Sequence, residues 1–181
     1  MSTPVPTPAV PSTTPPSTIE TRIRRARIAA ALAAAILIVN GVLTFFDGDL
    51  SDHTTGIGLV SEVTAGAAFL AGALALALIV PVTGWGALLW WLAPAGLTIA
   101  GVIMLGVPIT GQEPAEWLFL LAVVPTSLGL IAAGVLGSRR RWPWWTGAGL
   151  ALFLPIMFLA PFNGLLMALV WLAVAITLRA E

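Results

Sequence analysis

The chain has 181 residues, 59% of them hydrophobic and only 9% charged, with a formal net charge of zero. A soluble domain carries about 25% charged residues, and one this poor in charge would present large apolar patches to water, so a mean hydropathy of +1.00 makes lipid the fitting solvent. The absence of cysteine excludes disulfides, thiolate nucleophiles and Cys-ligated zinc or iron–sulfur centres.

Lysine is absent too, so every fixed positive side chain is arginine; with the abundant alanine this suggests a bacterial genome rich in G and C. Residues 1–20 read MSTPVPTPAVPSTTPPSTIE and show no apolar period. Such a segment cannot bury enough surface to offset its ordering entropy and is expected to be disordered. Together with Arg22, Arg24, Arg25 and Arg27 it forms an expected tail over 1–27. Its Thr-Pro steps at Thr3, Thr7 and Thr14 suit polyproline II recognition or phosphorylation, against the plainer reading of a solvated tail.

The first apolar run, 28–46, has 19 residues, about 28 Å of helix and close to one hydrocarbon core. Arginines ahead of an apolar run also describe a signal peptide. This run is long for that role and ends in Thr44-Phe45-Phe46-Asp47 rather than a small-x-small cleavage site. A retained first span is the better reading. An acidic loop follows over 47–55, then a second run over 56–80 interrupted by Glu62. Pro81 to Gly84 break the pattern. The third run is 85–107, and a loop with Gly111, Glu113, Pro114 and Glu116 leads to the fourth, 117–137. Glu113 and Glu116 suit the positive end of that helix, and Pro114 its start. The basic-aromatic segment Arg139 to Trp145 precedes the fifth run, 144–160. Pro161 to Gly164 make a tight turn with Asn163 as N-cap, and the sixth run is 164–178. The last two runs sit at or below the usual lower limit of about 17 residues for a span. A re-entrant pair is therefore the alternative to a full hairpin.

The expected fold is an all-α, polytopic transmembrane helical bundle over 28–181 with six predicted spans, N-in/C-in, in the bacterial inner membrane. Six crossings from a cytoplasmic N-terminus put all eight arginines inside, while Asp47, Asp49, Asp52, Glu113 and Glu116 fall outside, as the positive-inside rule requires. Trp85, Trp117, Trp142, Trp144 and Trp145 lie at predicted boundaries, where indoles favour the interface. Close packing of small residues must hold such a bundle together. Candidate stripes are Thr64, Ala68 and Gly72; Gly96 and Ala100; Gly129, Ala133 and Gly137; and Gly147 and Ala151. Pro94, Pro125 and Pro155 lie within spans, and each is expected to kink or loosen its helix.

Glu62 is the leading functional candidate, because an ionisable residue within a span is costly. It lies about six residues, roughly 9 Å, from the outer end of its helix. Asn40 lies at a similar depth on the neighbouring span. Thr64 is close by, and Thr98, Thr126 and Ser127 are deeper from the same side. These six residues make a candidate intramembrane polar site. The competing reading is structural: Glu62 reaches up to the interface, or stays protonated and hydrogen-bonds Asn40 to hold the hairpin. Arg139, Arg140, Arg141, Trp142, Trp144 and Trp145 are candidate contacts for anionic lipid headgroups at the cytoplasmic face, against a topology signal with an aromatic belt. Asp47, Asp49, Asp52 and His53 have spacing suited to oxygen ligation of calcium. However, Asp52 stands where an EF-hand needs glycine and Gly58 where it needs glutamate, so a solvated acidic loop is favoured and no metal is expected. With one histidine, a His-based zinc site has no second member.

No Gly-x-Ser-x-Gly elbow, phosphate-binding loop or paired intramembrane carboxylate is present. No catalysis, cofactor or nucleic-acid partner is expected. The leading expectation is a non-enzymatic accessory, assembly or lipid-interacting subunit, with a homo-oligomer or membrane partner. The alternative is a small-solute or proton-coupled transporter or channel subunit using Glu62, and an intramembrane enzyme ranks third.

Overall fold

In the computed structural model of the chain, the described residues are 18–46, 54–80, 84–112, 114–138, 140–160 and 162–179. Residues 1–17 of the expected tail, the acidic cluster Asp47, Asp49, Asp52 and His53, the breaker Pro81 to Thr83, and Glu113, Arg139 and Pro161 lie outside them. Among the described residues the structure is all helical: α1 (Thr18–Phe46), α2 (Gly56–Leu78), α3 (Trp85–Thr110), α4 (Glu116–Gly137), α5 (Trp144–Ala151), α6 (Phe153–Leu159) and α7 (Asn163–Thr177). The first four are long and apolar enough to cross a membrane, the make-up of an integral membrane protein.

The expected start of the first helix at residue 28 is corrected to Thr18. Arg, Ala and Glu are strong helix formers, and Glu20 in the first turn complements the helix dipole. Ile23 and Ala26 are buried, so tertiary packing rewards the early turns, and the arginine cluster rides on a helix. At its other end α3 closes on Gly111, which takes the left-handed C-cap (φ 62°) and donates its N–H to the Val107 carbonyl at 2.8 Å. A side chain there would be strained.

Helices α1 to α4 pack in sequence, α5 packs along α4, and α7 packs along α1, so the last helix closes against the first. The α1 start, the α4–α5 connection and the α7 C-terminus meet at one end, called here the arginine end. Arg27 donates from Nε (3.1 Å) and Nη2 to the Leu178 carbonyl, and the Arg179 N–H reaches the Arg141 carbonyl at 2.8 Å. The half of the bundle nearer this end is filled by large aromatics. Trp90, Trp142, Trp171 and Phe153 are buried; Trp90 stacks on Trp142 at 5.7 Å between centroids, and Phe153 meets the edge of Trp171 at 5.9 Å. The Trp90 indole bonds the Leu76 carbonyl at 3.1 Å.

Each of the four small-residue stripes holds a glycine at a close contact, with Gly96 against Thr126 and Gly147 against Gly134 among them. A Cβ on Gly129 would overlap the backbone of Ala93, and one on Gly72 would overlap the Trp171 ring. Glycine at these positions lets α4 approach α3 and seats the indole of α7 on α2.

The prolines act unequally. Helices α3 and α4 run unbroken past Pro94 and Pro125, whereas the expected fifth helix divides at Leu152 (φ −90°, ψ 2°), three residues before Pro155. Proline has no N–H for the carbonyl four residues back, and its ring crowds that carbonyl; here it belongs to Ala151. The long helices have several turns on either side to absorb the loss, while α5 and α6, of 8 and 7 residues, have about two turns each. Beyond the break α6 keeps little contact with α4. Asn163 is not an N-cap: Phe162 precedes α7 in the left-handed region (φ 55°), and the Asn163 amide donates to the Met157 carbonyl of α6 at 2.7 Å.

Candidate functional site: an apolar cavity beside Glu62

Ser61, Glu62 and Thr64 fall within one turn of α2. Residues three apart share a helix face, and the residue between them is turned by about 100°. Ser61 and Thr64 therefore look toward α1, and Glu62 looks elsewhere. The Asn40 amide nitrogen, on α1, reaches the Ser61 carbonyl at 2.9 Å, the Ser61 hydroxyl at 3.0 Å and the Thr64 hydroxyl at 2.9 Å. Asn40 is only 6% exposed. Its Oδ1 faces the start of α7, where a Cβ on Gly164 would come within 2.9 Å of it. One buried amide thus touches three helices, and in an apolar setting its two N–H groups are satisfied by acceptors on the neighbouring helix.

Glu62 instead lines a cavity of about 590 Å³ between α2, α3, α4 and α6. At the end away from the arginines, Glu62, Pro114 and Glu116 border it. Toward the middle of the bundle its walls are Phe69, Ala100, Ala122, Thr126 and Leu154. Phe119 of α4 and Phe158 of α6 also line it, and their rings meet edge-on at 5.7 Å. The cavity lies where α6 parts from α4, so the break ahead of Pro155 and the void have one origin in the chain path.

The six residues of the expected polar site are thus divided. Asn40 and Thr64 come together, and Glu62 and Thr126 line the cavity. Thr98 is exposed on α3 and bonds its own Pro94 carbonyl at 2.7 Å; Ser127 bonds the Val123 carbonyl at 2.7 Å. The Thr126 hydroxyl is likewise held by the Ala122 carbonyl at 2.7 Å. Short hydroxyl side chains in apolar surroundings commonly close on the preceding turn in this way.

Of the expected headgroup contacts, Arg140, Trp144 and Trp145 are exposed, and the Arg141 guanidinium lies 3.5 Å from the Arg179 carbonyl. Trp142 is a correction. It is 2% exposed, stacked on Trp90 and set where Gly137 leaves room for its ring, so it is a core residue and meets no headgroup.

Among the cavity residues that the sequence did not single out are Phe69, Phe119, Leu154 and Phe158. The i, i+7 spacing of Glu62 and Phe69 on α2 was a readable signal, since such residues share a face. The α6 residues gave none, because their direction depends on the break. No protein-family model, curated protein or solved structure matches this chain.

Proposed function

We propose that the protein is a non-enzymatic, multi-pass membrane protein that holds an apolar or amphiphilic small molecule in the cavity between α2, α3, α4 and α6. The observation that carries this reading is the cavity itself. At about 590 Å³ it lies within the roughly 300–1,000 Å³ of small-molecule sites, and such sites are mostly apolar with a few placed polar groups. Its lining is nearly all apolar, with Glu62, Glu116 and Thr126 as the polar members. The chain crosses six times with both ends cytoplasmic: the α5–α6 unit and α7 form the last hairpin, and the positive-inside rule assigns the arginine end to the cytoplasm.

A transporter is the second reading, favoured by the position of Glu62 in the cavity wall. Against it, Trp90, Trp142, Trp171 and Phe153 fill the half of the bundle nearer the arginines, so a solute at Glu62 would need those rings to move.

Native mass spectrometry of the purified protein tests the binding reading. The wild-type chain is expected to retain a bound amphiphile that Ala122→Trp, which fills the cavity, does not. Equal retention by the two proteins would refute it. Single cysteines replacing Gln112 and Arg140 in the cysteine-free chain test the orientation. An impermeant thiol reagent on whole cells should label the first and spare the second, and the reverse pattern would overturn it.

A further inference from the structure

We propose that the cavity holds one hydrocarbon chain of a membrane amphiphile, which enters sideways from the bilayer between α4 and α6. This rests on the cavity-binding reading above and adds to it the shape of the ligand and its route.

The cavity is long and follows the helices. Glu116, Phe119, Ala122 and Thr126 all line it from α4. Their spacing of three or four residues makes one continuous stripe on that helix, and the rise from first to last is about 15 Å. Glu62 and Phe69 line it from one face of α2 in the same way.

Polarity changes along this length. Glu62 and Glu116 stand at the end away from the arginines, and the deeper lining is apolar apart from Thr126. The Thr126 hydroxyl donates to the Ala122 carbonyl at 2.7 Å, so the deep part rewards apolar surface alone. A molecule with a polar head and a flexible chain behind it matches both the shape and the gradient. A compact apolar molecule would fill part of the length and leave the remaining walls without contacting atoms, which forfeits dispersion energy.

The route follows from the exposure of the lining. Ala122 and Leu154 are buried, whereas Phe119 and Phe158 are 44% and 52% exposed, so these two belong both to the cavity wall and to the outer surface of the bundle. They stand on α4 and α6, which touch in few places, while α3 packs along α4. Their rings meet edge-on at 5.7 Å and cover the seam with side chains rather than backbone. Exposed side chains change rotamer in picoseconds to nanoseconds, so the seam can open with the helices in place. The way in from the arginine end is filled by Trp90, Trp142, Trp171 and Phe153. A chain that slides in through the seam keeps its head at the polar end and never exposes its methylenes to water, as entry from the aqueous side would require.

The test uses the full-length protein in phosphatidylcholine vesicles and a lysophosphatidylcholine with a diazirine at the far end of its palmitoyl chain. After irradiation, peptide mass spectrometry should find label on the buried Phe69 and Leu154 as well as on the exposed Leu121 and Leu128. Ala122→Trp should lose the label at the buried pair and keep it at the exposed pair. For the route, Phe119→Cys and Phe158→Cys are combined in the cysteine-free chain and bridged by a reducible bis-thiosulfonate before the probe is added. Bridging should abolish label at Phe69 and Leu154, and reduction should restore it. Phe158→Ala, at an exposed position, should speed labelling of the same two residues, and it supplies the route test should the double variant not fold. If the chain probe labels the exposed pair alone, or reaches the buried pair as fast with the seam bridged, or gains no speed from Phe158→Ala, the proposal is overturned. Adamantane diazirine, compact and apolar, separates the two readings. Label from it on Phe69 or Leu154, lost in Ala122→Trp, keeps the cavity reading when the chain probe fails. If neither probe labels the buried pair, both readings fall.

Discussion

The amide nitrogen of Asn40 lies 2.9 Å from the hydroxyl of Thr64, across the interface between α1 and α2. The same nitrogen reaches the carbonyl of Ser61 one turn earlier. Asn40 therefore works as a staple between two long helices, and its partners are the two residues of α2 that flank Glu62 on the neighbouring face. Once Ser61 and Thr64 turn toward α1, the helical repeat turns Glu62 toward the cavity. The structural polar residue and the candidate functional one are two outputs of a single helix rotation.

Replacing Asn40 tests the staple. Hydrogen bonds between membrane helices average about 0.6 kcal/mol and reach about 1.7, and Asn40 makes several. Asn40→Ala should destabilise the bundle by about 1–2 kcal/mol and Thr64→Val by less. The double variant should fall short of the sum by about 0.5 kcal/mol or more, because neighbours that share a bond are not additive. Denaturation in mixed micelles, followed by tryptophan fluorescence, gives all three values. Strict additivity would mean that the two side chains do not share a bond.

Glycine packing gives a second prediction with an internal control. A Cβ at Gly129 would overlap the Ala93 backbone, whereas one at Gly106 would meet nothing within 4 Å. Gly129→Ala must push α4 from α3, and overpacking of this kind costs about 1–3 kcal/mol. Gly106→Ala should be neutral or stabilising by roughly 0.5–1 kcal/mol, through helix propensity alone. The same unfolding assay ranks them, and equal effects would remove the close approach of α3 and α4 as an explanation.

The contrast between these glycines also shows how much of the fold was legible in the sequence. Long apolar runs bounded by Pro, Gly and charge placed α2, α3 and α4 within a few residues of their ends, because span length and turn chemistry are local properties. The first helix began ten residues early, since the burial of Ile23 and Ala26 depends on neighbours that the local pattern does not reveal. Trp142 read as an interfacial residue because a tryptophan beside arginines usually is one. Its burial requires Trp90 and Gly137, which are distant in sequence or in role. The candidate site was half legible. The depth of Asn40 and Glu62 along their helices was readable, but the rotation that parts them depends on which face of α2 meets α1. The void between α4 and α6 follows from a backbone break whose position is local but whose direction is not.

That break is open to test through Pro155. Alanine there restores an N–H donor for the Ala151 carbonyl and removes the ring that crowds it. Helices α5 and α6 should then join into one straighter helix, and α6 should move relative to α4. Spin labels on cysteines replacing Leu120 and Leu159, both exposed, should report a changed separation between the wild-type background and Pro155→Ala. Retention of amphiphile should change with it, since Phe158 and Leu154 would leave their places in the cavity wall. An unchanged separation would mean that the break has another cause.

At the opposite end, Arg27 ties the first helix to the last. Its Nε and Nη2 both donate to the carbonyl of Leu178, just beyond the end of α7. Carbonyls in the last turn of a helix have no partner within it, and a cation there also complements the negative end of the dipole. Arg27 is itself exposed, so solvent screening limits the gain to about 0.5–1 kcal/mol. The local effect should be larger than this figure suggests, because α7 has only 15 residues and few turns to hold it. Arg27→Ala should let the end of α7 fray, raising amide exchange at Leu178, whose N–H bonds Val174, and at Arg179, whose N–H bonds Arg141. Arg27→Lys keeps the charge but loses the forked donor geometry, so it should fall between alanine and wild type. If alanine leaves exchange at Leu178 and Arg179 unchanged, the closure of the first helix on the last is maintained by apolar packing alone. If lysine matches wild type, the charge at the helix end matters and the fork does not.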